Sequence, residues 1–197
     1  MKSWFRGWIQ GKTRIALAWA FACLILFFAR DYPKWHGIIL CFAGAVLRFW
    51  ASGYLRKDRR PAVGGPYAFV RNPLYLGTYL MAVGVTLSIE NRWLLAAVSV
   101  FFALIYHYII LDEETKLQKI FGGPYLTYCS AVPRFFPRPW PAAKRTLLQI
   151  NPEKEHLHYS VEIAMKNKAY ESFVSFVGLV GIVMLAAYTW KSILPKF

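Results

Sequence analysis

An all-α, polytopic membrane protein is predicted by three features of this sequence. Hydrophobic residues make up 57% of 197 positions, they gather in long runs, and basic residues crowd alternate connections between those runs. One small soluble core would not use so much apolar surface. The net charge of +14 invites a nucleic-acid reading, but 12 of the 24 Lys and Arg residues precede residue 73, where they flank apolar runs. Lys2, Arg6, Lys12, Arg14, Arg56, Lys57, Arg59 and Arg60 form the pattern of flanks drawn to anionic headgroups, not a nucleic-acid footprint.

Five spans are predicted in one integral membrane domain covering residues 1–197. The first, Ile15–Ala29, has a basic start like a signal peptide but lacks a small-residue cleavage pattern and meets Arg30, Asp31 and Pro33, so it is read as retained. Trp35–Leu55 follows after a brief connection. Pro73–Ile89 begins with Asn72 placed to cap the helix and Pro73 in its first turn. Trp93–Leu111 ends on Asp112-Glu113-Glu114, and Ser172–Trp190 is the last span.

The charge asymmetry puts the N-terminus in the cytoplasm and residues 112–171 on the same side. Prolines and glycines between 122 and 141 predict an irregular cap there, and Pro152–Glu171 reads as an interfacial helix started by Asn151-Pro152. Cys23, Cys41 and Cys129 lack paired spacing, so neither a disulfide framework nor a metal site is expected.

Two stretches carry chemistry. Gly64 to Gly77 enters the third span, where free helix N–H groups and the rings of Tyr67 and Tyr75 suit either a ligand or an interfacial aromatic belt. Asp112-Glu113-Glu114 puts three acids on a cytoplasmic flank and at a helix C-terminus, which opposes the macrodipole. Such acids need compensation from Arg59, Arg60, Arg71 or a cationic ligand, unless they are a solvated stop. Arg48 lies inside the second run, either as a substrate-binding group or snorkelling to the surface.

In order and spacing, Gly65, Tyr67, Arg71, Asn72, Pro73, Tyr75 and Gly77 with Glu113, Glu114, Phe121, Gly122, Tyr125, Val132 and Pro133 resemble the isoprenylcysteine carboxyl methyltransferase and phospholipid methyltransferase superfamily, as its short prokaryotic members do. The resemblance covers about residues 40–137. It implies an S-adenosyl-L-methionine site lined by Arg59, Arg60, Pro61, Ala62, Tyr67, Asn72, Pro73, Leu74 and Tyr75, with Glu113 at the cofactor's amino group and Glu114 in support. It also implies a lipid or lipidated acceptor arriving from the bilayer, and by analogy a bacterial inner membrane.

Two departures stand out. Asn72 occupies a place that eukaryotic members often give to His, and Ile109 stands where they carry an arginine implicated in binding the prenylcysteine carboxylate. The resemblance therefore carries the reaction type without the prenylcysteine substrate. A sulfonium methyl is already activated, so transfer needs alignment and exclusion of water, and no base for a protonated amine is evident. A carboxylate or other anionic nucleophile is favoured, and no catalytic residue is assigned. Phospholipid amine N-methylation, a nonenzymatic scaffold or transporter, and a sterol-reductase-like NADPH enzyme remain as alternatives.

Overall fold

The computed structural model describes residues 21–56, 60–153 and 157–193. Arg59, Lys57 and the predicted first span up to residue 20 lie outside the described residues, as do Lys2, Arg6, Lys12 and Arg14. Every regular element among the described residues is helical. Residues 21–28 form α1, Trp35–Ser52 α2, and Gly65–Ala68 a short 3-10 turn. Then come α3 (Pro73–Ser88), α4 (Arg92–Phe121), α5 (Gly123–Ala131), α6 (Lys144–Ile150), α7 (Val161–Lys166) and α8 (Glu171–Ile193).

Among the described residues, three helices are long and apolar enough to cross a membrane: α2, α4 and the Glu171–Ser192 stretch of α8. The 16-residue α3 is a shorter apolar helix. At 1.5 Å per residue it reaches about 24 Å, less than the ~30 Å hydrocarbon layer. Lys34 N–H bonds to Ser88 O at 2.9 Å, so α2 and α3 are level at that end, and the start of α3 is recessed at the other. The chain is a polytopic, all-helical membrane protein.

Antiparallel α2 and α3 form its tightest pair, because glycines line the seam. A Cβ on Gly37 would meet Gly84 O and the Ser88 backbone, one on Gly44 would meet Gly77 O, and one on Gly84 would meet the Cys41 backbone. Where lipid replaces water, such close approach supplies the dispersion contacts that hold helices together. Around this pair Ile25, Ala29, Cys41, Ala45, Met81, Val85, Val183 and Ala186 form one core, which α1 and α8 complete. At the far end Trp190 Nε1 donates to Leu26 O at 3.0 Å and Lys191 pairs with Asp31 at 2.9 Å. A second core, Val63, Ala68, Tyr125, Tyr128, Val132, Leu147 and Ile150, lies in the cap.

Four local expectations are corrected. The three acids do not end the helix of the fourth span: α4 runs 30 residues, from an Asn91 cap to Gly122, which turns the chain at φ 60°. Good helix formers after Leu111 and the Asp112–Lys116 pair at 2.8 Å prolong it past the apolar run. Asn72 does not cap α3 with its side chain, which instead donates to Arg134 O at 3.0 Å. Residues 151–153 are not helical, and buried Asn151 donates to Pro61 O at 3.3 Å. The interfacial helix shrinks to α7, capped by Ser160 and ended near Lys168 at φ 54°. There Asn167 Nδ2 donates to Ser52 O and Leu55 O at 2.9 and 2.6 Å, satisfying carbonyls at the end of α2.

Candidate active site

A cavity of about 590 Å³ opens where α2 ends, α3 begins and α4 leaves the apolar layer. That size falls within the ~300–1,000 Å³ usual for small-molecule sites. Arg60, Pro61, Ala62, Tyr67, Asn72, Pro73, Leu74, Tyr75 and Glu113 all line it, and so does Arg48. These residues come from four separate stretches of chain. Glu114 does not face the cavity, and Arg59 lies outside the described residues.

Glu113 is the acidic residue of the lining. Its Oε2 accepts a hydrogen bond from Tyr75 Oη at 2.5 Å, which fixes the carboxylate against the wall of α3. Tyr75 in turn meets Tyr106 edge-on at 5.4 Å, and Tyr106 stacks on Phe102 at 3.7 Å. Aromatic packing thus holds the phenol that holds the carboxylate.

Glu114, one residue on, turns the other way. Arg71 Nη1 approaches its Oε1 at 3.3 Å, while Arg134 Nε and Nη2 each reach Oε2 at 3.0 Å. Asn72 Nδ2 donates more weakly, at 3.5 Å. The carboxylate therefore joins α4, the α3 entrance and the loop after α5. Backbone bonds reinforce the join: Arg71 N–H to Pro133 O at 2.8 Å, Arg138 N–H to Phe69 O at 3.1 Å and Ala142 N–H to Ala68 O at 2.8 Å. The hydrogen bond from Arg134 to Glu114 raises the guanidinium's pKa above its ordinary value.

The roof is phenolic. Tyr128 Oη donates to Tyr67 O at 2.8 Å, and burial pushes Tyr67, Tyr125 and Tyr128 well above the ordinary tyrosine value, keeping all three neutral. Buried Arg71 Nε has no hydrogen-bond partner among the described residues, leaving one donor at the cavity wall unsatisfied.

The family profile of phospholipid methyltransferases matches residues 33–123. That segment holds every lining residue except Tyr125 and Tyr128. The matched segment thus supplies Glu113, Glu114 and the α3 entrance, whereas Arg134 and Tyr128, which close the site, come from beyond its limit. The chain is 28% identical over 137 residues to the cobalt-zinc-cadmium resistance protein CzcN of Cupriavidus metallidurans, covering 65% of this chain and 63% of that protein. It is 32% identical over 104 residues to the nickel-cobalt-cadmium resistance protein NccN of Alcaligenes xylosoxydans xylosoxydans, covering 52% and 48%. The matched region thus spans between about half and two thirds of those relatives' lengths. No solved structure matches.

Sequence reasoning did not assign Arg56, Thr78, Tyr106 or Tyr128 to the site. Thr78 carried a usable signal, since it lies three residues after Tyr75 and so shares its helix face. Arg134 directly follows Val132-Pro133 in the chain, but nothing local in that run points to a carboxylate 20 residues earlier.

Proposed function

We propose that this chain is a membrane methyltransferase that uses S-adenosyl-L-methionine to methylate an anionic group on a lipid or lipidated acceptor at the cytoplasmic face of a bacterial inner membrane. The observation that carries this reading is Glu113, a cavity-lining carboxylate fixed by Tyr75 within the segment that matches the phospholipid methyltransferase profile. The cofactor supplies a methyl group already activated on a sulfonium. The donor set suits it: Glu113 would take its ammonium, unsatisfied Arg71 Nε its carboxylate, and Tyr67 its aromatic portion.

The remaining task of the chain is to align and to dry. The Glu114 junction and the phenolic roof close the cavity with neutral or mutually paired groups. Arg48, Arg56, Arg60 and Arg71 give the lining a positive surplus over Glu113, which favours an anionic acceptor over an ammonium one. No general base is required for such a nucleophile. The resistance names of the two relatives suggest a setting for this chain as well, a change in bilayer chemistry that matters under divalent-metal stress.

The test is calorimetric titration of the full chain, in detergent and in lipid nanodiscs, with S-adenosylhomocysteine. Saturable binding that Glu113→Gln weakens at least tenfold, about 1.4 kcal/mol, supports the reading. Folded protein that binds none in either medium overturns it, and a thermal shift with NADPH instead would favour a reductase.

A further inference from the structure

The loop after α5 is tethered to the cap at Pro133, Arg138 and Ala142, through the backbone bonds to Arg71, Phe69 and Ala68. Between those tethers the chain bulges outward twice. Phe136 tops the first bulge at 81% exposure and Trp140 the second at 73%. Water is a costly neighbour for two large rings so close together.

The side chains of Arg134 and Phe135 give the depth of this loop. Arg134 reaches Glu114, beyond the apolar run of α4, with Nη2 at 3.0 Å. Phe135 goes the other way: its ring lies 6.2 Å from Phe102 and 5.8 Å from Tyr79, both inside apolar runs. Phe102 and Glu114 are 12 residues apart on α4, about 18 Å along its axis. Two consecutive side chains therefore span the rim, one climbing to a charge and one descending between helices, and the backbone that bears them lies at the boundary of the apolar layer. Its composition suits that place. Pro133, Pro137, Pro139 and Pro141 carry no N–H to leave unpaired where water is scarce, and Arg134 O is satisfied by Asn72 Nδ2 at 3.0 Å.

Charge names the occupant of the exposed face. From Lys116 to Pro152 the chain has six Lys and Arg and no Asp or Glu. Lys116 and Arg134 are paired, whereas exposed Arg138, Lys144 and Arg145 make no ion pair among the described residues. Aromatic rings beside free cations at the rim of an apolar layer complement a leaflet with anionic headgroups.

We infer that residues 134–141 are seated in the headgroup boundary of the bilayer, Phe136 and Trp140 entering its apolar side while Arg138, Lys144 and Arg145 meet anionic headgroups. The leaflet acts here as a surface, not as a substrate, and the inference stands on the loop's own geometry whatever the cavity binds. Because Arg134 opens this loop, leaflet and Glu114 junction hold the same stretch of chain.

Spin labelling of the full chain in lipid nanodiscs tests the seat. Cys23 and Cys129 are replaced by alanine, buried Cys41 is kept, and single labels enter through Phe136→Cys or Trp140→Cys. Both native side chains are exposed, so neither exchange disturbs a core. Val100→Cys, at a site 59% exposed within the apolar run of α4, is the lipid reference, and Gln118→Cys, on the exposed overhang of α4, is the aqueous one. Labels at 136 and 140 should side with position 100 in favouring collision with oxygen over a neutral nickel chelate. Either label siding with position 118 overturns the inference. So does shielding of either label from both reagents, which would mean that a protein partner or a second copy covers the loop. Adding phosphatidylglycerol to phosphatidylcholine discs should cut nickel access at 140 about twofold. The triple variant Arg138→Gln, Lys144→Gln, Arg145→Gln should abolish that response. A wild type without the response, or a triple variant that keeps it, overturns the assignment of these cations to the headgroups.

Discussion

The α2–α3 seam and the Glu114 junction hold the same cavity from two sides by opposite means. In the seam, glycines let two helix backbones touch, and there is almost nothing there for water to solvate. In the junction a carboxylate, two guanidiniums and an amide gather beyond the apolar layer, each meeting a partner. The difference follows from the solvent. Lipid offers helices no hydrophobic drive to associate, so shape must do the work, whereas buried charge at the rim persists only with its hydrogen bonds supplied. Shape tolerates no added atom, and the charge cluster tolerates no lost partner.

Breaking the seam should cost most. Gly84→Leu sets a side chain against the Cys41 backbone, which cannot yield without separating α2 from α3. We expect destabilisation of about 3 kcal/mol or more, seen as loss of monodisperse protein in detergent. Normal behaviour of this variant would mean that the helices are held by something other than their glycines.

The junction comes next. Glu114→Ala strands Arg71, whose side chain is only 11% exposed, and should cost about 3 kcal/mol in thermal unfolding. Arg134→Ala removes a partner that is 41% exposed, so solvent screening limits the loss to about 1 kcal/mol. Equal losses would show that exposure does not grade this cluster.

The smallest effect is alkaline. Buried Tyr67, Tyr125 and Tyr128 have folded pKa values above the ordinary ~10, so their contribution to stability is complete below that pH and is lost as pH rises through the folded values. Hydrogen exchange above pH 10 should accelerate in residues 123–150 before residues 37–48. Simultaneous opening would show that seam and cap unfold as one unit.

The sequence disclosed the seam's helices but not its mechanism. Apolar runs located α2, α3 and α8 to within a few residues, because hydrophobicity and helix coincide inside a bilayer. They parted company in α4, where the apolar run stops at Leu111 and the helix does not. Gly44 and Gly84 passed as ordinary members of apolar runs, since their role exists only when two helices lie antiparallel. At the site, Arg60 to Ala62, Tyr67, Asn72 to Tyr75 and Glu113 were legible as a motif and surround one cavity. Asn72 was misread as a cap because its true partners, Glu114 and Arg134, are separated from it by 42 and 62 positions. Local chemistry cannot weigh a partner that only tertiary structure delivers.

Glu113 and Glu114 are neighbours on one helix, about 100° apart around its axis. One faces the cavity and the other the junction, so the azimuth of α4 sets both at once. An insertion of one residue between Asn91 and Glu113 would not weaken either contact gradually; it would index the shaft by one tooth and offer Glu113 to the arginines that now hold Glu114. Closure of the loop and aim of the cavity's carboxylate are therefore geared together, and neither can be retuned in evolution or by design without turning the other.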